Sequence, residues 1–103
     1  MSLLSKLFGT APTADYKQLV QNGAVIIDVR TPQEYQTGHI KGSLNIPLQS
    51  LTGPALAKLK KDTPVITCCA SGMRSASARS ILLNNGFSEV HNAGPWSSLQ
   101  GKI

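Results

Sequence analysis

Val65-Ile66-Thr67-Cys68-Cys69-Ala70-Ser71-Gly72-Met73-Arg74-Ser75 passes from one kind of structure to another within a few residues. Val65 to Cys68 is a short apolar run with β-branched residues and reads as a buried strand. A compact stretch with a single glycine follows, and Ser75-Ala76-Ser77-Ala78-Arg79-Ser80-Ile81-Leu82-Leu83 reads as a helix. A strand, a tight loop and a helix N-terminus gather backbone N–H groups around one point. A sulfur held there lies in a field that favours its thiolate, the nucleophilic form. Arg74 adds a permanent cationic fork for an anionic substrate. The stretch therefore predicts cysteine chemistry on an anion.

Outward from this stretch, apolar runs alternate with helical patterns. Thr13 is placed to cap a helix carrying Tyr16, Leu19 and Val20 on one face, and Asn22-Gly23 stops it. Ala24-Val25-Ile26-Ile27-Asp28-Val29 is a continuous apolar run, as in a strand covered on both faces. Thr31-Pro32-Gln33-Glu34 is a capping box with proline at the first helical position, opening a short helix to Gly38. Residues 43–46 predict a brief strand ended by Pro47, and Gly53-Pro54 opens a helix that carries Leu56 and Leu59 towards Lys61. The helix over 74–84 is stopped by Asn85-Gly86. Residues 87–91 predict a last strand and 96–99 a single turn. The alternation predicts an α/β domain of three layers, a mainly parallel central sheet with helices on both faces. Ligands of such sheets lie beyond the carboxyl ends of strands, where the cysteine loop falls.

A chain of 103 residues holds one domain, here an N-terminal arm at 1–12 and a folded unit at 13–103. The net charge of +5 is spread along the chain, and only Lys58, Lys60 and Lys61 cluster, as a solvated helix end does. We therefore expect no nucleic-acid partner, although the positive field draws small anions. Two adjacent cysteines cannot form an ordinary disulfide framework, and a strained vicinal bridge between them is disfavoured. His39 and His91 lack ligand spacing, so neither a metal nor another cofactor is expected. A reactive thiol fits a reducing compartment, and a cytoplasmic location is expected. Lys6 interrupts the apolar N-terminus, whose run is too short for a signal peptide, and no later stretch approaches a membrane span. A monomer is expected, although Leu3-Leu4 and Leu7-Phe8 offer a surface for pairing.

Three motifs in order make the chain resemble a single-domain rhodanese of the sulfurtransferase family. They are Asp28-Val29-Arg30-Thr31-Pro32-Gln33-Glu34-Tyr35, Gly38-His39-Ile40-Lys41-Gly42-Ser43-Leu44-Asn45-Ile46-Pro47, and the loop Cys69-Ala70-Ser71-Gly72-Met73-Arg74-Ser75. Asn92-Ala93-Gly94 extends the match towards the end. The resemblance implies a rhodanese-like fold and a sulfane sulfur carried as a persulfide on Cys69. It implies an anionic donor, thiosulfate or a persulfide, and a thiol or cyanide acceptor, with a sulfur-carrier protein as a further partner. Ala70, Ser71, Gly72, Met73 and Arg74 align with the loop whose backbone N–H groups surround the sulfur, and Arg74 suits the sulfonate of thiosulfate. Family members often carry paired glycines after the last strand and a tryptophan several residues on. Here Pro95 follows Gly94 and Trp96 comes at once, a different wall on that side.

Cys68 offers a second reading, because Cys68-x5-Arg74 has the spacing of cysteine-based phosphatases and arsenate reductases. Side chains alternate along a strand, so Cys68 and Cys69 cannot both enter the loop. Cys68 continues the apolar run as a small hydrophobe, which favours Cys69 as nucleophile. A non-catalytic module that binds a partner protein is the third reading. Arg79 is expected to be structural, Asp28 and Arg30 to form an internal ion pair together with Glu34, and His39 to pack. Ser71 and Ser75 can assist the donor through their hydroxyls, and Trp96 can either line the pocket or cover the core.

Overall fold

A computed structural model describes residues 14–103 of the chain. The arm expected at 1–12 and the cap expected at Thr13 lie outside the described residues. The first described helix, α1 (Tyr16–Gln21), is capped instead by Asp15, whose carboxylate accepts the Gln18 N–H at 3.0 Å. That carboxylate satisfies one of the N–H groups a helix start leaves without a partner. The order continues as β1 (Val25–Asp28), α2 (Pro32–Thr37), β2 (Leu44–Asn45), a 3-10 turn (Leu48–Ser50) and α3 (Gly53–Leu56). It ends with β3 (Val65–Cys69), α4 (Met73–Asn84), β4 (Val90–Pro95) and α5 (Trp96–Gln100).

The four strands form one parallel sheet in the order β2-β1-β3-β4. Alternation along the strands divides their side chains between two apolar clusters. Ile27, Val65 and Cys69 pack on the face that carries Ala78 and Leu82 of α4 together with Leu56 and Phe87. Ile26, Ile66 and Cys68 pack on the opposite face with Tyr16 of α1, Ile40 and Leu99 of α5. The result is the three-layer α/β arrangement, with β1 and β3 buried at the centre.

Two elements depart from the expectation. The helix expected to reach Lys61 ends at Leu56. Beyond it Lys58 and Leu59 donate to Ala55 and Leu56, three residues back, so the chain tightens into turns while Leu59 still packs on the core. The last strand runs over Val90–Pro95 rather than 87–91. Phe87 is instead a core side chain of the turn that follows α4. β4 lies at the sheet edge, where a terminal proline is tolerated, and β3 needs a partner there.

Candidate active site

Cys69 is the last residue of β3 and its side chain is fully buried. The chain then turns through the exposed Ala70 and Ser71 to Gly72, which caps α4 at φ +108°. That backbone region is open to glycine and strained for other residues. The turn folds the loop back over the sulfur. Cys69 Sγ accepts the Gly72 N–H at 2.9 Å and the Ser75 N–H at 3.4 Å, and it lies 3.4 Å from Ser75 Oγ. Burial pushes the Cys69 thiol up, but the Ser75 hydroxyl and the N–H groups of Ser75, Gly72 and Ser71 outweigh it. The balance lies below the ordinary thiol value.

Cys68 is placed in the opposite environment. Its side chain joins the cluster of Tyr16, Ile26, Ile66 and Leu99 on the other face of the sheet. Burial first, and the Asp28 carboxylate second, push its thiol up to about 12, with Arg30 opposing them. Both cysteines are free thiols.

Arg74 enters from the first turn of α4 and meets Glu34 in a two-pronged ion pair. Nη1 donates to Oε1 at 2.7 Å and Nη2 to Oε2 at 2.9 Å. Glu34 is held by the capping box of α2: its Oε1 accepts the Thr31 N–H at 3.0 Å while its own N–H donates to Thr31 Oγ1 at 3.2 Å. The Arg74 hydrogen bonds, followed by the one from Thr31 N–H, lower the Glu34 carboxyl from 4.5 to about 2. The carboxylate expected with Asp28 and Arg30 thus belongs to Arg74, because the capping box aims it away from the strand end. Arg30 makes its own pair with Asp28, Nη2 to Oδ2 at 2.8 Å, and both are buried. Its remaining N–H groups donate to the main-chain oxygens of Glu34 at 3.2 Å and Gly38 at 2.7 Å.

Trp96 covers this pair, with the Arg30 guanidinium 4.7 Å from its ring centre, and packs on the cluster that holds Cys68. A Cβ on Gly38 would come within 3.2 Å of the same indole, so the loop after α2 also closes on it. His39 stacks on Tyr35 at 3.8 Å and bonds its carbonyl through Nδ1. Arg79 donates to the Val90 carbonyl and ties α4 to β4. Met73 projects from the loop rim, 78% exposed. Among the described residues, no three His, Cys, Asp or Glu side chains gather as a metal set would.

Two partners of the loop depart from the sequence expectation: Glu34, expected beside Arg30, pairs with Arg74, and Asn92, for which the sequence predicts no loop contact, meets Ser75. Asn92 Oδ1 accepts the Ser75 hydroxyl at 2.6 Å and the Gly94 N–H at 3.0 Å. Besides its place in the family resemblance, the signal for it is the Asn-x-Gly spacing at 92–94, which favours a side chain turning back onto its own backbone.

Residues 12–94 match the family described as the Rhodanese-like domain, and the chain belongs to that family. Among its relatives is thiosulfate sulfurtransferase GlpE of Pseudomonas paraeruginosa, 35% identical over 86% of this chain and 80% of that protein. The solved structure of the human single-domain sulfurtransferase TSTD1 superposes with a TM-score of 0.74 at 28% identity, covering 90% of this chain and 98% of that one. A structure of rhodanese with anions from E. coli superposes with a TM-score of 0.69 at 34% identity, covering 74% of this chain and 91% of that one.

Proposed function

We propose that this rhodanese-family sulfurtransferase carries a sulfane sulfur as a persulfide on Cys69. The observation that supports it is the Cys69 sulfur at the focus of the 69–75 loop, taking N–H groups from Gly72 and Ser75. The Cys69 thiolate attacks the outer sulfur of thiosulfate or of a donor persulfide. A new S–S bond forms, and the donor's S–S bond breaks with its electron pair leaving on sulfite or on the donor thiolate. An acceptor thiolate or cyanide then attacks the outer sulfur, and the electron pair of the Cys69 S–S bond returns to the Cys69 sulfur. Atoms and charge balance across both halves, and no redox cofactor is required.

The outer sulfur of the persulfide carries negative charge, which an enclosed loop without donors could not hold. In this reading the backbone N–H groups of the 70–74 loop, of which Gly72 already donates to the Cys69 sulfur, supply those donors without reorganising. Arg74 holds the sulfonate end of thiosulfate through the N–H groups Glu34 leaves free: one on each terminal nitrogen, and Nε–H. Glu34 therefore orients the fork while reducing its net charge. The acceptor is a small thiol or the thiol of a sulfur-carrier protein, and the protein works as a monomer in a reducing cytoplasm.

Mass spectrometry after incubation with thiosulfate tests the proposal. We expect a gain of about 32 Da, one sulfur atom, on the peptide containing Cys69. The gain should disappear when cyanide is added. An unmodified Cys69 after exposure to both thiosulfate and a small-molecule persulfide would rule the mechanism out.

A further inference from the structure

The Ser75 hydroxyl has one proton and three neighbours that can accept it. They are Asn92 Oδ1 at 2.6 Å, the Gly72 carbonyl at 3.1 Å and Cys69 Sγ at 3.4 Å. Which of them holds the proton follows from Asn92. The Gly94 backbone N–H lies 3.0 Å from the same side-chain atom and can only donate, so that atom is the amide oxygen. An oxygen so placed cannot donate to Ser75, and at 2.6 Å it is the nearest acceptor. The Ser75 proton therefore lies on the Asn92 side. Its oxygen turns a lone pair towards Cys69, where it can accept the S–H of the neutral thiol. Once the sulfur ionises it has no proton to give, and a hydrogen bond to the thiolate is the stronger one. The Ser75 proton must then swing from Asn92 to sulfur.

We propose that Asn92 is a positioning residue that competes with the Cys69 sulfur for the Ser75 proton, and so makes the thiolate harder to form. This rests on Cys69 being the reactive residue. The topology explains why Asn92 can do this. Thr67 of β3 pairs with Asn92, but its neighbour Cys68 pairs with Gly94, so Ala93 is an extra residue in β4. The bulge folds the Gly94 N–H back onto the Asn92 side chain. Thr67 also bonds the Ser75 carbonyl at 2.9 Å, which keeps the first turn of α4 against this part of the sheet. Asn92 is exposed whereas Ser75 is fully buried, so Asn92 Oδ1 can take a water when the proton leaves. The switch therefore strands no buried acceptor.

Other charges around the sulfur are already engaged. Asp28 and Arg30 at the end of β1 hold each other, Glu34 of α2 holds Arg74 of α4, and Arg79 holds the Val90 carbonyl. His91 of β4 is bound to Glu89, and α5 contributes no titratable side chain.

The test is the rate of iodoacetamide alkylation of Cys69, read by peptide mass spectrometry across pH on the full chain. It needs no sulfur donor, so its outcome is separate from that of the thiosulfate experiment. Asn92→Leu removes the acceptor and keeps the branched outline of the side chain. It should speed alkylation several-fold at acidic pH, on the order of three to ten. Asn92→Asp, an isosteric change, should slow it by holding the proton harder. In a Ser75→Ala background the Leu substitution should change nothing, and the Asp substitution should act only through its charge. Unchanged or slower alkylation of Asn92→Leu, or an acceleration that survives Ser75→Ala, would overturn the proposal. Should Asn92→Leu fail to fold, the aspartate variant decides: a slowing equal in both backgrounds refutes it, and a slowing that shrinks without Ser75 upholds it.

Discussion

Cys69 and Cys68 differ by one peptide bond and by the face of the sheet that receives them. The strand period of two sends one thiol to the loop and the other into apolar packing. Their ionisation diverges accordingly, Cys69 below its ordinary value and Cys68 up to about 12. We expect Cys69→Ser to abolish sulfur transfer. Cys68→Ala should retain most of it and lose about 1 kcal/mol of stability, the scale of one small buried group. The acid limb of the rate should lie below the ordinary thiol value of 9.0, because a lowered thiol is already ionised there. A steady-state pH profile of the parent and of Cys68→Ala checks this, and a dead Cys68→Ala enzyme that folds would reverse the assignment. Alternation made the opposite facing of the two cysteines legible from sequence. The Ser75 and Asn92 hydrogen bonds were not legible, because β4 meets α4 only through the tertiary fold.

At the scale of elements, the capping box of α2 was readable because its parts lie within four residues of each other. Its second duty was hidden, since Arg74 is 40 positions away along the chain. β4 was misplaced for a related reason: residues 91–95 have little intrinsic strand preference, and pairing with β3 imposes the conformation. The shared carboxylate carries a stability prediction with a definite sign. Glu34 titrates near 4.5 when unfolded and at about 2 when folded, so the unfolded chain binds the proton first. Its stabilisation is complete above about pH 4.5 and is lost as pH falls towards 2. Glu34→Gln should therefore flatten the acid limb of stability in urea titrations between those values, its loss relative to the parent being largest near neutrality and shrinking towards pH 2. The same change frees the Arg74 fork, so KM for thiosulfate should fall or hold while kcat falls as the fork loses its aim. An acid limb as steep as the parent's would show that the ion pair stabilises nothing.

For the whole molecule, the parallel sheet and its two faces were legible, since a run such as residues 24–29 admits few alternatives to a central strand. What sequence could not show is how the carboxyl ends of the strands are bound together beside the loop. Arg30 does this from the end of β1. It holds Asp28 on its own strand, the main chain of α2 at Glu34, the following loop at Gly38, and the Trp96 indole at the start of α5. Asp28 is fully buried and Arg30 is 3% exposed, so neither charge has water to fall back on. A buried ion pair need not stabilise a fold relative to apolar residues, but removing one member leaves the other desolvated and unpaired. Arg30→Ala should therefore cost roughly 3–5 kcal/mol and lower Tm by about 10 °C or more. Arg30→Lys should recover only part of this, because one ammonium cannot serve the Asp28 carboxylate, two carbonyls and an indole face together. Removing both charges as Asp28→Asn with Arg30→Met should cost less than Arg30→Ala alone, since no unpaired charge then stays buried. Thermal and urea unfolding of the four proteins measures the order directly. If Arg30→Ala is as stable as the parent, the carboxyl end of the sheet is held by packing alone.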